Sequence, residues 1–256
     1  METVDRLLDS RSGFARPDSI RQPALFLAEA IGELTSGSRF LEHLSPQVSD
    51  AVRRQGHAIT IDAGENLFVQ GEPHTGIWLI KEGIVRSFYT APSGRQLTLA
   101  YWTAGHFVGG PQIFGGGEHV WSADITQTSQ LLYLPATAIR GLIETQPSFA
   151  LCIIEGLSAK GRCYSALVQM LGTRSVIERL VQLLIILTEN YGRRDQKRLI
   201  IERKLSHDQM ATIVGATRQW VTTTLDGLQR KGIISVARRT IVVERYDLLL
   251  AETDAR

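Results

Sequence analysis

Arg218, Gln219, Thr222 and Thr223 are the densest group of base-reading side chains in the chain. A guanidinium can bond guanine O6 and N7 together, a carboxamide can bond adenine N6 and N7, and threonine adds a hydroxyl and a methyl. Such side chains read sequence only when one helix carries them into a major groove. The flanking residues predict that helix. Ser206-His207-Asp208-Gln209 has the Ser-x-x-Gln form of a capping box, and Met210, Ile213 and Val214 give the helix it starts an apolar face. Gly215 stops that helix and Thr217 offers the next N-cap oxygen. A second helix then runs through Val221, Leu225 and Leu228 to Gly232. Two short helices joined by Gly215-Ala216-Thr217 make a helix-turn-helix whose second helix presents Arg218, Gln219, Thr222 and Thr223 from its first turns. Beyond it, Ile233–Val236 and Thr240–Val243 flank Arg238-Arg239, the pattern of a β-wing with two cations for phosphate. Ser206 and Thr217 complete the candidate DNA contacts. The competing reading is an αα-hairpin with solvated polar residues, against which the caps, the glycine, the wing and the charge all argue.

The charge distribution points the same way. Residues 1–173 carry 13 Lys/Arg against 16 Asp/Glu, whereas residues 174–256 carry 15 against 10, so a net charge of +2 hides a basic C-terminal part. Other chemistries fare worse. Two cysteines, Cys152 and Cys163, cannot build a four-cysteine iron–sulfur or zinc site within one chain. His43, His57, His74, His106 and His119 are scattered, and no His/Cys/Glu cluster has metal-ligand spacing. The glycine run Gly109–Gly117 lacks the Lys-Ser/Thr ending of a P-loop and the strand–turn–helix setting of a dinucleotide site, so the sequence predicts no enzyme. The longest apolar stretch, near 183–187, is far short of a membrane span, and the N-terminus has no signal-type apolar core, so a cytoplasmic protein without a membrane partner is expected.

At 256 residues, with 43% apolar and 21% charged residues, the chain has material for two modest cores. Residues 1–40 are polar and arginine-dotted and read as a loosely docked extension with helical starts at Val4–Leu8 and Leu25–Leu34. From Ile59 to Leu134, short apolar runs alternate with glycine-bearing turns: Ala58–Ile61, Leu67–Val69, Ile77–Ile80, a turn at Lys81-Glu82-Gly83, Ile84–Tyr89, Gln96–Tyr101 and Ala123–Leu134. Strands at that spacing predict an all-β sandwich or barrel. After Pro147 the period changes. Phe149, Ile153, Gly156, Lys160, Cys163, Leu167 and Met170 alternate steps of four and three along a helix over about 148–171. Phe149, Ile153, Gly156, Cys163, Leu167 and Met170 are therefore the candidate dimer seam; a stripe packed only within its own chain is the alternative, and Lys160 interrupts it. Ser175–Tyr191 reads as a further apolar helix and Gly192–Arg198 as a basic loop.

In this order the elements resemble the CRP/FNR family of transcription regulators from about residue 41 to 245. The matching motifs are Gly64-Glu65, Gly71-Glu72, Gly83 and Gly105-His106-Phe107-Val108-Gly109, the long helix, and Leu205–Ala211 followed by Val214–Val221. The resemblance implies an α+β fold in four parts: the extension 1–40, a jelly-roll-like double-stranded β-roll sensor over 41–141, a dimerisation helix over 142–173, and a winged helix-turn-helix over 174–256. It implies a homodimer on a palindromic operator, with RNA polymerase as a further partner if the protein activates, and two DNA domains that swing about the junction near Leu171–Ser175. Arg218 falls on the family's guanine-contacting arginine. Gln219 stands where a glutamate is usual, and Thr223 where many members carry arginine, so the usual half-site is not transferred.

The sensor departs further. Members that bind cyclic nucleotides hold the ribose with a glutamate and the phosphate with Arg-Ser or Arg-Thr. Here those positions are Gly110, Val120 and Trp121. A buried phosphate without its arginine is an unpaired charge, so cyclic AMP in the standard pose is disfavoured. Ser165 matches a base-touching serine of the long helix. The cysteine set of the oxygen-sensing branch is absent, so no iron–sulfur cluster is expected. The remaining expectation is a small, partly aromatic or apolar effector contacted by Trp102, Phe107, Gly109, Gly110, Val120, Trp121 and Ser165, with amides of Gly109-Gly110 and Gly115–Gly117 approaching it. A cyclic nucleotide held otherwise and a roll filled by its own aromatics are the alternatives.

Overall fold

The computed structural model describes residues 44–196, 198–202, 205–237 and 240–253. The expected extension over 1–40 and the wing-tip residues Arg238 and Arg239 lie outside them. The chain divides into two compact units, one ending at Leu167 and the other starting at Val168.

In the first unit, α1 (Pro46–Gln55) is capped by Ser45, whose side-chain oxygen accepts from the Val48 amide. Six strands follow: β1 (His57–Ile61), β2 (Asn66–Phe68), β3 (Gly76–Thr90), β4 (Gln96–Trp102), β5 (Phe107–Val108) and β6 (Ser122–Pro135). They form one antiparallel sheet in the order β1-β6-β3-β4, with β2 also on β6 and β5 on β3. The expected turn at Lys81-Glu82-Gly83 is not a turn. β3 runs 15 residues straight through it, and its register against β6 shifts three times between Ile80 and Val85. Gly83 makes this local: it has φ of +98°, and a Cβ there would lie 2.1 Å from Ser129 Oγ, so the bulged strand presses directly on its neighbour.

Two packed clusters hold this unit together. In one, α1, α2 (Ala136–Thr145) and the start of α3 (Pro147–Thr173) cover the sheet through Val48, Val52, Ile139, Leu142, Phe149 and Ile153 against Ile77, Leu79, Phe107, Leu132 and Leu134. In the other, the interior of the roll, Phe68, Ile80, Val85, Trp102, Ile125 and Leu131 surround Cys163 of α3. The α3 stripe Phe149, Ile153, Gly156, Cys163, Leu167 and Met170, expected as the dimer seam, is therefore occupied within its own chain. All but Gly156 are buried, and Gly156 lets the helix approach so closely that a Cβ would sit 2.4 Å from Phe107 Cε1. Phe149, Ile153 and Cys163 of this stripe pack in the two clusters of the first unit.

In the second unit, Ser175 caps α4 (Val176–Tyr191) through a complete capping box with Glu178. The Gly192–Arg198 segment, expected as a loop, contributes β7 (Gly192–Asp195), which pairs with β8 (Arg198–Ile201). Its polar composition reflects an edge strand: Arg193 pairs with Glu202 and Arg198 with Glu244 on the exposed side. With β9 (Ile234–Ala237) and β10 (Thr240–Val243) they make a four-stranded sheet ordered β7-β8-β10-β9. Between these strands lie α5 (His207–Val214) and α6 (Arg218–Arg230), and α7 (Tyr246–Ala251) follows the sheet. Among the described residues no helix is long and apolar enough to cross a membrane.

Candidate nucleic-acid interface and sensor roll

α5 and α6 form where the caps require. The Ser206 hydroxyl accepts from the Gln209 amide at 3.1 Å while Gln209 Oε1 accepts from the Ser206 amide at 2.8 Å, so both sides of the box are made. Gly215 ends α5 in the left-handed region at φ of 65°, and Thr217 Oγ1 accepts from the Trp220 amide at 3.2 Å to start α6. Met210, Ile213 and Val214 on α5 and Val221, Leu225 and Leu228 on α6 are buried, which leaves one stripe of α6 for solvent. That stripe holds Arg218, Gln219, Thr223, Asp226 and Arg230. Ser206 and Thr217, expected among the DNA contacts, accept cap hydrogen bonds through their hydroxyl oxygens, Ser206 at the start of α5 and Thr217 at the start of α6.

Arg218 makes only a loose pair with Asp208, 3.7 Å apart with both side chains about two-thirds exposed. An exposed pair of this kind holds little free energy, so the guanidinium is available to a stronger acceptor. The hydroxyls of Thr222 and Thr223 donate back to the carbonyls of Arg218 and Gln219, both at 3.0 Å. Their hydrogens are thus engaged, and Thr223 presents a methyl and a lone pair outward. Thr222 is half-buried under His207, whose Nδ1 lies 2.8 Å from Oγ1. With that oxygen already donating, His207 donates from Nδ1, so His207 is a positioning partner that sequence reasoning missed. Asp226 was missed as well. It stands two turns beyond Arg218 on the same stripe, and a period-3.6 count from Arg218 would have found it.

The sensor roll is assembled differently from its expectation. Trp102 and Phe107 are fully buried, Gly109 and Gly110 are buried, Trp121 is half-buried, and Val120 lies on the surface at 52% exposure. Ser165 is exposed on the face of α3 away from Cys163, so it does not line this chain's own roll. The amides of Gly110, Gly115 and Gly116, expected to approach a ligand, are engaged within the loop's own fold. The Gly110 amide donates to His74 Nε2 at 2.7 Å, the Gly116 amide to the His74 carbonyl, and the His74 amide to the Gly117 carbonyl. The loop is strapped to one histidine. His74 and His119 lie with ring centroids 4.6 Å apart, and His119 stacks on Phe68 at 3.9 Å. Burial, with repulsion from His74, pulls His119 down to about 4, and burial lowers His74. Both imidazoles are neutral at physiological pH. Among the described residues no group of three His, Cys, Asp or Glu could hold a metal ion.

No charged side chain stands at Gly110, Val120 or Trp121. The buried cation of the roll is instead Lys160, on α3, with its Nζ 3.7 Å from the Trp102 ring centroid and 4.8 Å from that of Phe107. Arg86 on β3 is held by Asp124 on β6, Nε at 3.0 and 3.2 Å from the two carboxylate oxygens.

Residues 58–146 match the model of the cyclic nucleotide-binding domain and residues 178–252 that of the Crp-like helix-turn-helix domain. The chain belongs to the CRP/FNR family. It is similar to the global nitrogen regulator of Synechocystis, 25% identical over 72% of this chain and 83% of that protein. It is also similar to the CRP-like cAMP-activated global transcriptional regulator of Mycobacterium tuberculosis, at 22% over 85% of this chain and 97% of that protein. Among solved structures, the c-di-GMP-responsive regulator CLP of Xanthomonas campestris superposes with a TM-score of 0.71 at 19% identity, over 78% of this chain and 99% of that one. Like these relatives, this member of the family is a transcription regulator and not an enzyme.

Proposed function

We propose that the chain regulates transcription as a homodimer that reads a two-fold symmetric operator, one α6 in each of two successive major grooves. The exposed stripe of α6 is the observation that carries this reading, because Arg218, Gln219 and Thr223 face solvent side by side on a capped helix. Arg218 reads guanine, Gln219 reads adenine, and Thr223 offers its methyl to thymine. Asp226 on the same stripe is suited to accept from cytosine N4 and repels a misplaced phosphate. Arg238 and Arg239 contact phosphate.

The dimer contact is the free face of α3. Leu151, Ile154, Ser158, Gly161, Ser165, Val168 and Gly172 alternate steps of three and four and are all exposed. Leu151, Ile154 and Val168 are 60, 57 and 69% exposed, an apolar ridge broken by small residues that permits close approach of a second helix. An effector acts by binding one arrangement of the dimer better than the other, with the junction near Leu171–Ser175 as the hinge. RNA polymerase is the further partner if the protein activates, and the cytoplasm is its place of action. The test is selection from a random duplex library. Enrichment of a two-fold symmetric motif with half-site centres about 34 Å apart supports the reading, and a library that stays random after several rounds refutes it.

A further inference from the structure

Gln229 stands near the C-terminal end of α6 and bonds to two elements at once. Its side chain is half-buried. Oε1 accepts from the Val236 amide at 3.1 Å, and Nε2 donates to Asp226 Oδ1 at 3.3 Å. Val236 lies in β9, the edge strand of its sheet, so Gln229 fills an edge position that a further strand would otherwise take. β9 leads on in the chain to Arg238-Arg239. One carboxamide therefore joins the reading helix to the strand that precedes the wing's cations.

The bond to Asp226 has a chemical consequence. Asp226 is exposed on the stripe of Arg218, Gln219 and Thr223, about 12 Å beyond Arg218 at ~1.5 Å of rise per residue. Arg230 bonds through Nε to the Asp226 carbonyl oxygen at 3.4 Å, and among the described residues it is Gln229 whose side chain meets the carboxylate. In a major groove two bases offer an exocyclic amine, cytosine at N4 and adenine at N6, whereas guanine and thymine turn only acceptors toward the protein. A carboxylate repels the acceptor edges of guanine and thymine whatever its orientation. It separates the two amines, which stand at different places across the groove, only when it is held still. An unheld aspartate turns among its rotamers. Gln229 occupies Oδ1 and leaves Oδ2 as the aimed acceptor.

We propose that Gln229 is a positioning residue of operator recognition: clamped to β9, it holds Asp226 so that the outer end of the α6 stripe selects cytosine over adenine. The proposal rests on reading α6 as the operator helix, and it adds the residue that turns a general acceptor into a discriminating one. The two bonds can be separated. Methionine at this position loses both at similar size. Glutamate keeps an oxygen for the Val236 amide, loses the donor to Asp226 and sets a second carboxylate beside it.

The experiment uses the full chain on an operator obtained by library selection, with fluorescence anisotropy at one fixed salt concentration. The base facing Asp226 is the position whose preference disappears in Asp226→Ala, and that base is changed to each of the other three in one half-site. The parent is expected to favour cytosine over adenine there by at least about fivefold. In Gln229→Met and Gln229→Glu that ratio should fall below about twofold, while guanine and thymine stay disfavoured and the preference for guanine at the Arg218 position is unchanged. Thermal unfolding of Gln229→Glu near the parent's Tm shows that the loss is one of aim and not of folding. The proposal is overturned if either variant keeps the parent's cytosine-to-adenine ratio, if the parent shows no such preference at an Asp226-dependent position, or if preference weakens equally at every base. Retention of the guanine preference at the Arg218 position in those cases leaves the regulator reading standing; a parent without base preference anywhere refutes both.

Discussion

Replacing Lys160 by methionine should stabilise the effector-free protein, by an amount that depends on pH. The ordinary lysine value of 10.5 falls to about 7 in the folded chain because burial penalises the ammonium. The unfolded chain therefore binds more protons between those two values, and stability must rise with pH across that window. At pH 7 the differential protonation costs the folded state about 4 kcal/mol, from 1.36 kcal/mol per unit over roughly three units. At pH 10 the folded lysine is neutral and the unfolded one is still mostly protonated, but only about half a unit of titration remains and the cost has fallen to about 1 kcal/mol. Methionine fills a similar volume between the rings and carries no charge, so Lys160→Met should gain most of that difference at pH 7 and little at pH 10. Urea unfolding of both proteins at the two pH values measures it. Equal stability of the variant and the parent at pH 7, or a gain that grows toward pH 10, refutes the claim that an unpaired ammonium is buried there.

Glycine scanning on the helices tests packing: Gly156→Ala drives a methyl into Phe107 and should lower stability by about 1–2 kcal/mol despite the better helix propensity, whereas Gly141→Ala in α2, where nothing lies within 4 Å, should raise it by up to about 1 kcal/mol. Thermal unfolding of the two variants checks both. Arg86→Ala strands the Asp124 carboxylate, whose side chain is 19% exposed, and should cost about 2–3 kcal/mol, measured by the urea midpoint. Ile154→Glu places a charge on the free ridge of α3 and should convert the proposed dimer to monomer in sedimentation velocity at micromolar concentration, while leaving the Tm within a few degrees.

The reading helix was legible in the sequence because its signals are local. Ser206, Gln209, Gly215 and Thr217 act on amides and carbonyls within four residues of themselves, so their types fix both helix ends without any tertiary information. Most strands of the roll were legible for the same reason, but Gly83 turned an expected turn into a bulge, and the short strands Phe107–Val108 and Gly192–Asp195 carried no apolar alternation to announce them; a glycine with positive φ serves a turn or a bulge, and only the partner strand decides. The α3 stripe shows where local reasoning stops. Its 3–4 period states that a face is buried and says nothing of what covers it, and two stripes of that period share this helix. Lys160 marked the difference: a lysine within an apolar seam signals either an exposed helix face or a buried charge, and the rings of Trp102 and Phe107 make it the second. His207 escaped notice because its role depends on Thr222, fifteen residues away. The sensor residues were the least legible, since Val120 on the surface, Ser165 on the far face and Gly110 bonded to His74 all follow from how the loop and helix pack.

Retardation of a selected operator duplex by the parent chain and by Arg218→Ala tests the central claim most directly. The account predicts a loss of about 1–3 kcal/mol per half-site, so that the proposed dimer binds at least about thirtyfold more weakly and no longer distinguishes guanine at one position of each half-site, while its oligomeric state is unchanged. Undiminished affinity together with undiminished discrimination at every base would contradict it.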